Sequence, residues 1–88
     1  MNSADDELIL TLQKEAKRGA SAEDLICRIE EIYPRPSSRV AVVRFFHKAF
    51  GVEMQRLSII PGLVSADGWD YRRIDHEIMP LVRKAVLD

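Results

Sequence analysis

Ser37-Ser38-Arg39-Val40-Ala41-Val42-Val43-Arg44-Phe45-Phe46-His47-Lys48-Ala49-Phe50-Gly51 is the stretch on which the fold turns. A serine pair suited to a helix N-cap opens it, and a glycine suited to the left-handed C′ position closes it. Between them Val42, Val43, Phe45, Phe46, Ala49 and Phe50 cover more than one helical face, so the pattern predicts a central helix over 39–50, enclosed by others.

The flanks are punctuated as helices too, and alternation with period two is almost absent. Upstream, Tyr33-Pro34-Arg35-Pro36 ends a helix, because each proline drives its predecessor out of the α region. That helix opens at Ser21, with Glu23 and Asp24 behind it, and its expected apolar face is Leu25, Ile26, Ile29, Ile32 and Tyr33. Before it, Ser3 with Asp6 and Glu7 marks the start of a first helix with a stripe of Leu8, Ile9, Leu12 and Ala16. Gly19 stops that helix after Lys17 and Arg18.

Downstream, a short helical stretch over 52–59 is expected to turn Met54, Leu57 and Ile60 inward before Pro61-Gly62 breaks it. A loop with a turn at Asp67-Gly68 follows. Asp70 then caps a last helix carrying Ile74, Ile78, Leu81, Val82 and Val86, which Pro80 kinks or splits. The expected fold is all-α, one domain over 1–88 built as a small bundle of four to five helices.

Eighty-eight residues with 47% hydrophobic and 31% charged content suit one compact core and argue against intrinsic disorder. The single cysteine, Cys27, has no intramolecular disulfide partner, and no secretory pattern or long apolar run occurs, so a cytoplasmic protein is expected. The formal net charge of −1 hides a segregation. Residues 1–34 carry eight acids and four bases, 35–56 five bases and one acid, and 57–88 five acids and four bases.

Chemistry is thinly represented. One cysteine and two histidines, His47 and His76, fall short of a zinc ligand set, and no phosphate-loop, dinucleotide-binding or nucleophile-elbow motif is present. No cofactor and no metal are expected. Cys27 with His47 offers a nucleophile and base only if folding brings them together, and a buried, inert thiol on the flank of an apolar stripe is the plainer reading. Asp75-His76-Glu77 cannot converge on one atom, since consecutive helical side chains point about 100° apart. A solvated helix face accounts for it, and the chain is read as a non-enzyme.

Two binding readings remain. The stretch Ser65-Ala66-Asp67-Gly68-Trp69-Asp70-Tyr71-Arg72-Arg73 concentrates residue types that dominate protein interfaces, so Trp69, Tyr71, Arg72 and Arg73 form a candidate anchor. Against that, Trp69 can fold back to plug the end of the bundle. Acids on the second helix, Glu23, Glu30 and Glu31, or the Asp5-Asp6-Glu7 run, would cover a basic partner surface. First-turn acids also serve helix N-termini without any partner. The other reading is a small nucleic-acid-binding regulator, with a homodimer left open. It would use Arg39, Arg44, Lys48 and Arg56, although the third helix is largely apolar for a recognition helix.

Tyr33-Pro34, Val43-Arg44-Phe45-Phe46, Ala49-Phe50-Gly51 and Gly68-Trp69 together resemble small helical bacterial immunity-type proteins of polymorphic or contact-dependent toxin systems. The likeness spans about half the chain. It implies a binding function in which a toxin domain is capped, and it assigns no catalytic residue. The leading expectation is therefore a non-enzymatic interaction module of immunity or inhibitor type.

Overall fold

The computed structural model describes residues 3–87, and side chains from 4 to 86. Six helices surround one core among the described residues: α1 (Ser3–Lys17), α2 (Ala22–Ile32), α3 (Ser38–Phe50), α4 (Met54–Leu57), α5 (Tyr71–Glu77) and α6 (Met79–Leu87). A 3-10 turn, Ile60–Leu63, and a two-stranded antiparallel hairpin, β1 (Val64–Ser65) and β2 (Gly68–Trp69), lie between α4 and α5.

The all-helical expectation holds, with one helix more than the upper count. Pro80 is the cause. It occupies the second position of α6, where an N–H is not needed, while Ile78 ends α5 by donating to the Ile74 carbonyl and starts α6 by accepting from Leu81 and Val82. The segment read as a plain loop contains the hairpin. Its register pairs Val64 with Trp69 and Ser65 with Gly68, and Gly68 has φ 116°, a conformation that L side chains rarely adopt.

α3 is the central element, packing against α1, α2, α4, α6 and the 3-10 turn. Phe45, Phe46 and Val42 are fully buried, joined by Leu12 of α1, Leu25, Ile26 and Ile29 of α2, and Ile74, Ile78 and Met79 from the C-terminal part. Burying one such side chain stabilises by about 1.5–3 kcal/mol, so this cluster dominates the folding energy. Gly51 terminates α3 at φ 67°, donating to the His47 carbonyl.

Caps were the most legible local feature. Ser21 and Asp24 form a reciprocal capping box, the Ser21 Oγ accepting from the Asp24 N–H at 3.3 Å and Asp24 Oδ2 from the Ser21 N–H at 3.1 Å. Asp70 accepts from the Arg73 N–H at 3.2 Å. The cap assigned to the Ser3 side chain lies outside the described residues. Ser37 makes no side-chain cap: its backbone is already in the right-handed helical region, at φ −60° and ψ −27°, rather than the extended one a capping serine takes.

Two inward assignments need correction. Ile32 is 45% exposed and Met54 51%, whereas Ile9, Tyr33, Val43, Leu81 and Val86 are half-buried against the core. Ile32 lies in the last turn of α2 and Met54 in the first position of the single-turn α4, so each stands at an element end where less of the fold covers it.

One polar cluster ties three helices together. The Tyr33 hydroxyl donates to Asp5 Oδ1 at 2.6 Å, linking the end of α2 to α1. The Tyr33 ring packs on Phe45 with centroids 5.7 Å apart, and the Arg44 guanidinium carbon lies 5.5 Å from the Tyr33 centroid and 5.0 Å from that of Phe45. The bond to Asp5, then burial, raises the Tyr33 pKa above its ordinary value. A raised folded-state pKa favours the neutral phenol, so its contribution is complete below the unfolded-state pKa near 10 and disappears as pH rises through the folded value. The stability gap between wild type and Tyr33→Phe should therefore shrink from pH 8 to pH 11 in paired urea melts. A gap that stays constant would mean the hydroxyl contributes nothing through Asp5.

Candidate protein-binding surfaces

The aromatic anchor does not stand on the surface. Trp69 is 8% exposed, and its indole N–H donates to Glu30 Oε2 at 3.2 Å. The same oxygen accepts from the Ser38 Oγ at 2.9 Å and lies 3.4 Å from Arg35 Nε. One carboxylate oxygen of α2 thus joins the hairpin, the start of α3 and the α2–α3 connection. Trp69 takes the plug position, and Glu30 faces inward as its acceptor. Both are withdrawn from the expected contact set for one reason: a buried indole N–H or serine hydroxyl needs an acceptor.

The rest of the stretch diverges. Tyr71 is half-buried, its phenol pKa raised by burial first, then by Cys27, Glu30 and Glu23. Arg73 pairs with Glu77 across one helical turn, Nε to Oε2 at 2.6 Å. Arg72 points to solvent. Glu31, next to Glu30 in sequence, is 64% exposed as a side chain, so the two acids, about 100° apart around α2, serve different faces.

The four basic residues do not assemble either. Arg39, in the first turn of α3, donates from Nη2 to the Val64 carbonyl at 3.4 Å. Arg44 is held over two aromatic rings, and Lys48 is exposed one turn further on. Arg56 sits on α4, past the far end of α3, beside Glu53 and Lys84. At about 1.5 Å rise per residue, Arg39 and Lys48 lie about 14 Å apart along α3, with Val40, 70% exposed, among them, and Arg56 belongs to a different helix.

Asp75-His76-Glu77 resolves into structural parts. Asp75 Oδ1 accepts from the Ala22 N–H at 3.0 Å, capping α2 from α5, while Glu77 binds Arg73 and His76 is exposed. Cys27 is exposed, contrary to the expectation of a buried thiol, because it sits past the apolar stripe on the outer face of α2. Local burial, then Glu23 and Glu30, raise its pKa and disfavour the thiolate. His47 is engaged elsewhere, its Nδ1 2.8 Å from the Val52 carbonyl beyond the end of α3, so no cysteine–histidine pair forms.

A different site emerges where α1 ends and α2 runs beside it. A groove of about 580 Å³, the largest described, is lined by Glu15, Arg18, Asp24, Cys27, Arg28 and Glu31, among others. Arg28 Nε donates to Glu15 Oε1 at 2.9 Å, and its Nη1 lies 3.6 Å from Glu31. The second oxygen, Glu15 Oε2, is buried with no hydrogen-bond partner. An unpaired carboxylate oxygen is an expensive feature, and a donor arriving from outside would relieve it. The i,i+3 spacing of Arg28 and Glu31 was visible in sequence. The Glu15–Arg28 contact was not, since it depends on how α1 and α2 pack across the turn at Gly19.

Among the described residues no helix is long and apolar enough to cross a membrane, and no three His, Cys, Asp or Glu side chains could hold a metal ion. No protein-family model matches the chain, and neither a curated protein nor a solved structure does.

Proposed function

We propose that the chain is a non-enzymatic protein-binding module of immunity or inhibitor type, which masks a partner by receiving a basic side chain in the groove between α1 and α2. The observation that carries this reading is Glu15, whose Oε2 is buried and lacks a donor while Oε1 is fixed by Arg28. A lysine or arginine entering the groove would supply that donor once the Glu15 carboxylate turns its covered oxygen toward it. Glu31 and Asp24 add negative charge beside it against the positive charge of Arg18 and Arg28, so three acids and two bases leave the groove at −1, and Glu23 extends the exposed acidic face. Such a face speeds encounter with a basic surface, and a charge pair shielded on docking slows release. A toxin domain with a basic catalytic cleft is the partner class that the sequence resemblance suggests.

The nucleic-acid reading has less support, because Arg39, Arg44, Lys48 and Arg56 do not form one strip. The test is capture from nuclease-treated lysate at moderate salt, followed by calorimetry with the purified co-eluting protein. Glu15→Gln and Glu31→Gln should each weaken its binding about tenfold or more, while Arg72→Gln leaves it unchanged. Recovery of nucleic acid alone, or a partner indifferent to both glutamates, would sink the proposal.

A further inference from the structure

A second cleft, of about 470 Å³, opens where α2 hands over to α3. It is bounded by Arg35 and Pro36 of the connection, by Arg39 in the first turn of α3, and by Val64, Ser65 and Ala66 of the hairpin. It shares no lining residue with the α1–α2 groove and does not depend on the function proposed for it.

The lining is cationic. Arg35 and Arg39 give it a charge of +2, and no carboxylate is among its lining residues. Glu30 reaches only Arg35 Nε, at 3.4 Å, and the same oxygen already serves Ser38 and Trp69. Asp67, on the turn of the hairpin, lines a different cleft with Asp70 and Arg73. The first turn of α3 holds no acid. Each guanidinium is steadied by a single group of the fold, Arg35 by Glu30 and Arg39 by the Val64 carbonyl at 3.4 Å. A guanidinium carries five N–H donors in a rigid fork, so most of the donors on both sides of the cleft stay available.

We infer that this cleft binds a phosphoryl group, the dianionic head of a phosphomonoester. Two guanidinium forks line the cleft, one of them partly neutralised by Glu30, and together they offer more donors than a single carboxylate can accept in its plane. Ser65 lies at the rim with its hydroxyl turned to the Gly68 carbonyl at 3.5 Å, so the two arginines supply the donors, and the volume leaves room for an organic substituent.

The experiment is an amide and arginine side-chain NMR titration of the full chain with inorganic phosphate at pH 7.5, with sodium chloride at equal ionic strength as the blank. Saturable shifts at Ser65, Ala66 and the Nε–H groups of Arg35 and Arg39 are expected, with a Kd on the order of millimolar. Arg39→Gln should weaken binding about tenfold or more, and Arg35→Lys, which keeps the charge but loses the fork, should weaken it also. Arg72→Gln, on α5, should leave it unchanged. Shifts that do not saturate, that chloride reproduces, or that survive Arg39→Gln would overturn the site. Equal binding of acetate would overturn the phosphoryl assignment. Phosphoserine and a nucleoside 5′-monophosphate distinguish the sources: tighter binding of either identifies the class, and exclusion of both while inorganic phosphate binds would overturn the monoester assignment.

Discussion

Trp69→Ala is expected to lower the unfolding free energy by about 3–5 kcal/mol, the range for removing a large aromatic side chain from a core. The side chain closes the end of the bundle at 8% exposure, and β2 holds it in register opposite Val64. For a domain of this size that loss lowers Tm by on the order of 10–40 °C, a large part of a typical 5–15 kcal/mol stability. Trp69→Phe should cost less, since it keeps a ring and loses the N–H bonded to Glu30. The check is thermal and urea denaturation followed by circular dichroism, because the variants lose the single tryptophan as a fluorophore. A Trp69→Ala variant within about 0.5 kcal/mol of wild type would place the indole on the surface and restore it as a contact residue.

Glu30→Ala is expected to cost about 2–5 kcal/mol, more than its location on a helix surface would suggest. Exposed acids on helices contribute about 0.5 kcal/mol or less through ion pairs. Glu30 differs because its Oε2 is the acceptor for the fully buried Ser38 hydroxyl and for the Trp69 indole, and a buried donor left without a partner costs about 1–3 kcal/mol. Glu30→Gln keeps an acceptor oxygen and should lose less. The urea midpoint should fall with little change in slope, since the surface exposed on unfolding is nearly the same. If Glu30→Ala melts like wild type, the carboxylate is not holding the hairpin, and its place is with Glu31 on the outer acidic face.

These two residues mark the boundary of what could be read from the sequence. Helix starts and stops depend on a few local residues, so Ser21, Gly19, Gly51 and Asp70 declared them directly. The central position of α3 followed from its excess of apolar faces. Side-chain fate did not follow, because it depends on tertiary neighbours. Trp69 and Glu30 lie 39 positions apart and looked like two candidate contact residues, although each has the other as its partner. Ser38 looked like half of a cap pair and is a buried donor. Arg35, which in the sequence is only one residue of the Tyr33-Pro34-Arg35-Pro36 helix stop, lines a cleft with Arg39 because the hairpin folds back beside the start of α3. The site containing Glu15, Arg18 and Arg28 was invisible for the same reason, as its two sides come from helices whose packing angle no periodicity encodes.

The bond from Asp75 to the Ala22 amide bears on how far the domain can be divided. Helix α2 has two of its first-turn amides satisfied, one by its own Ser21 and one by a carboxylate 53 residues downstream. Its N-terminus is therefore shared property of both halves of the chain. A fragment ending before α5 would keep the apolar stripe of α2 but leave the Ala22 amide without its acceptor. Grafting α2 with its exposed acids onto another scaffold would carry the surface but not the support, so the binding face is transplantable only with an acceptor supplied at that position.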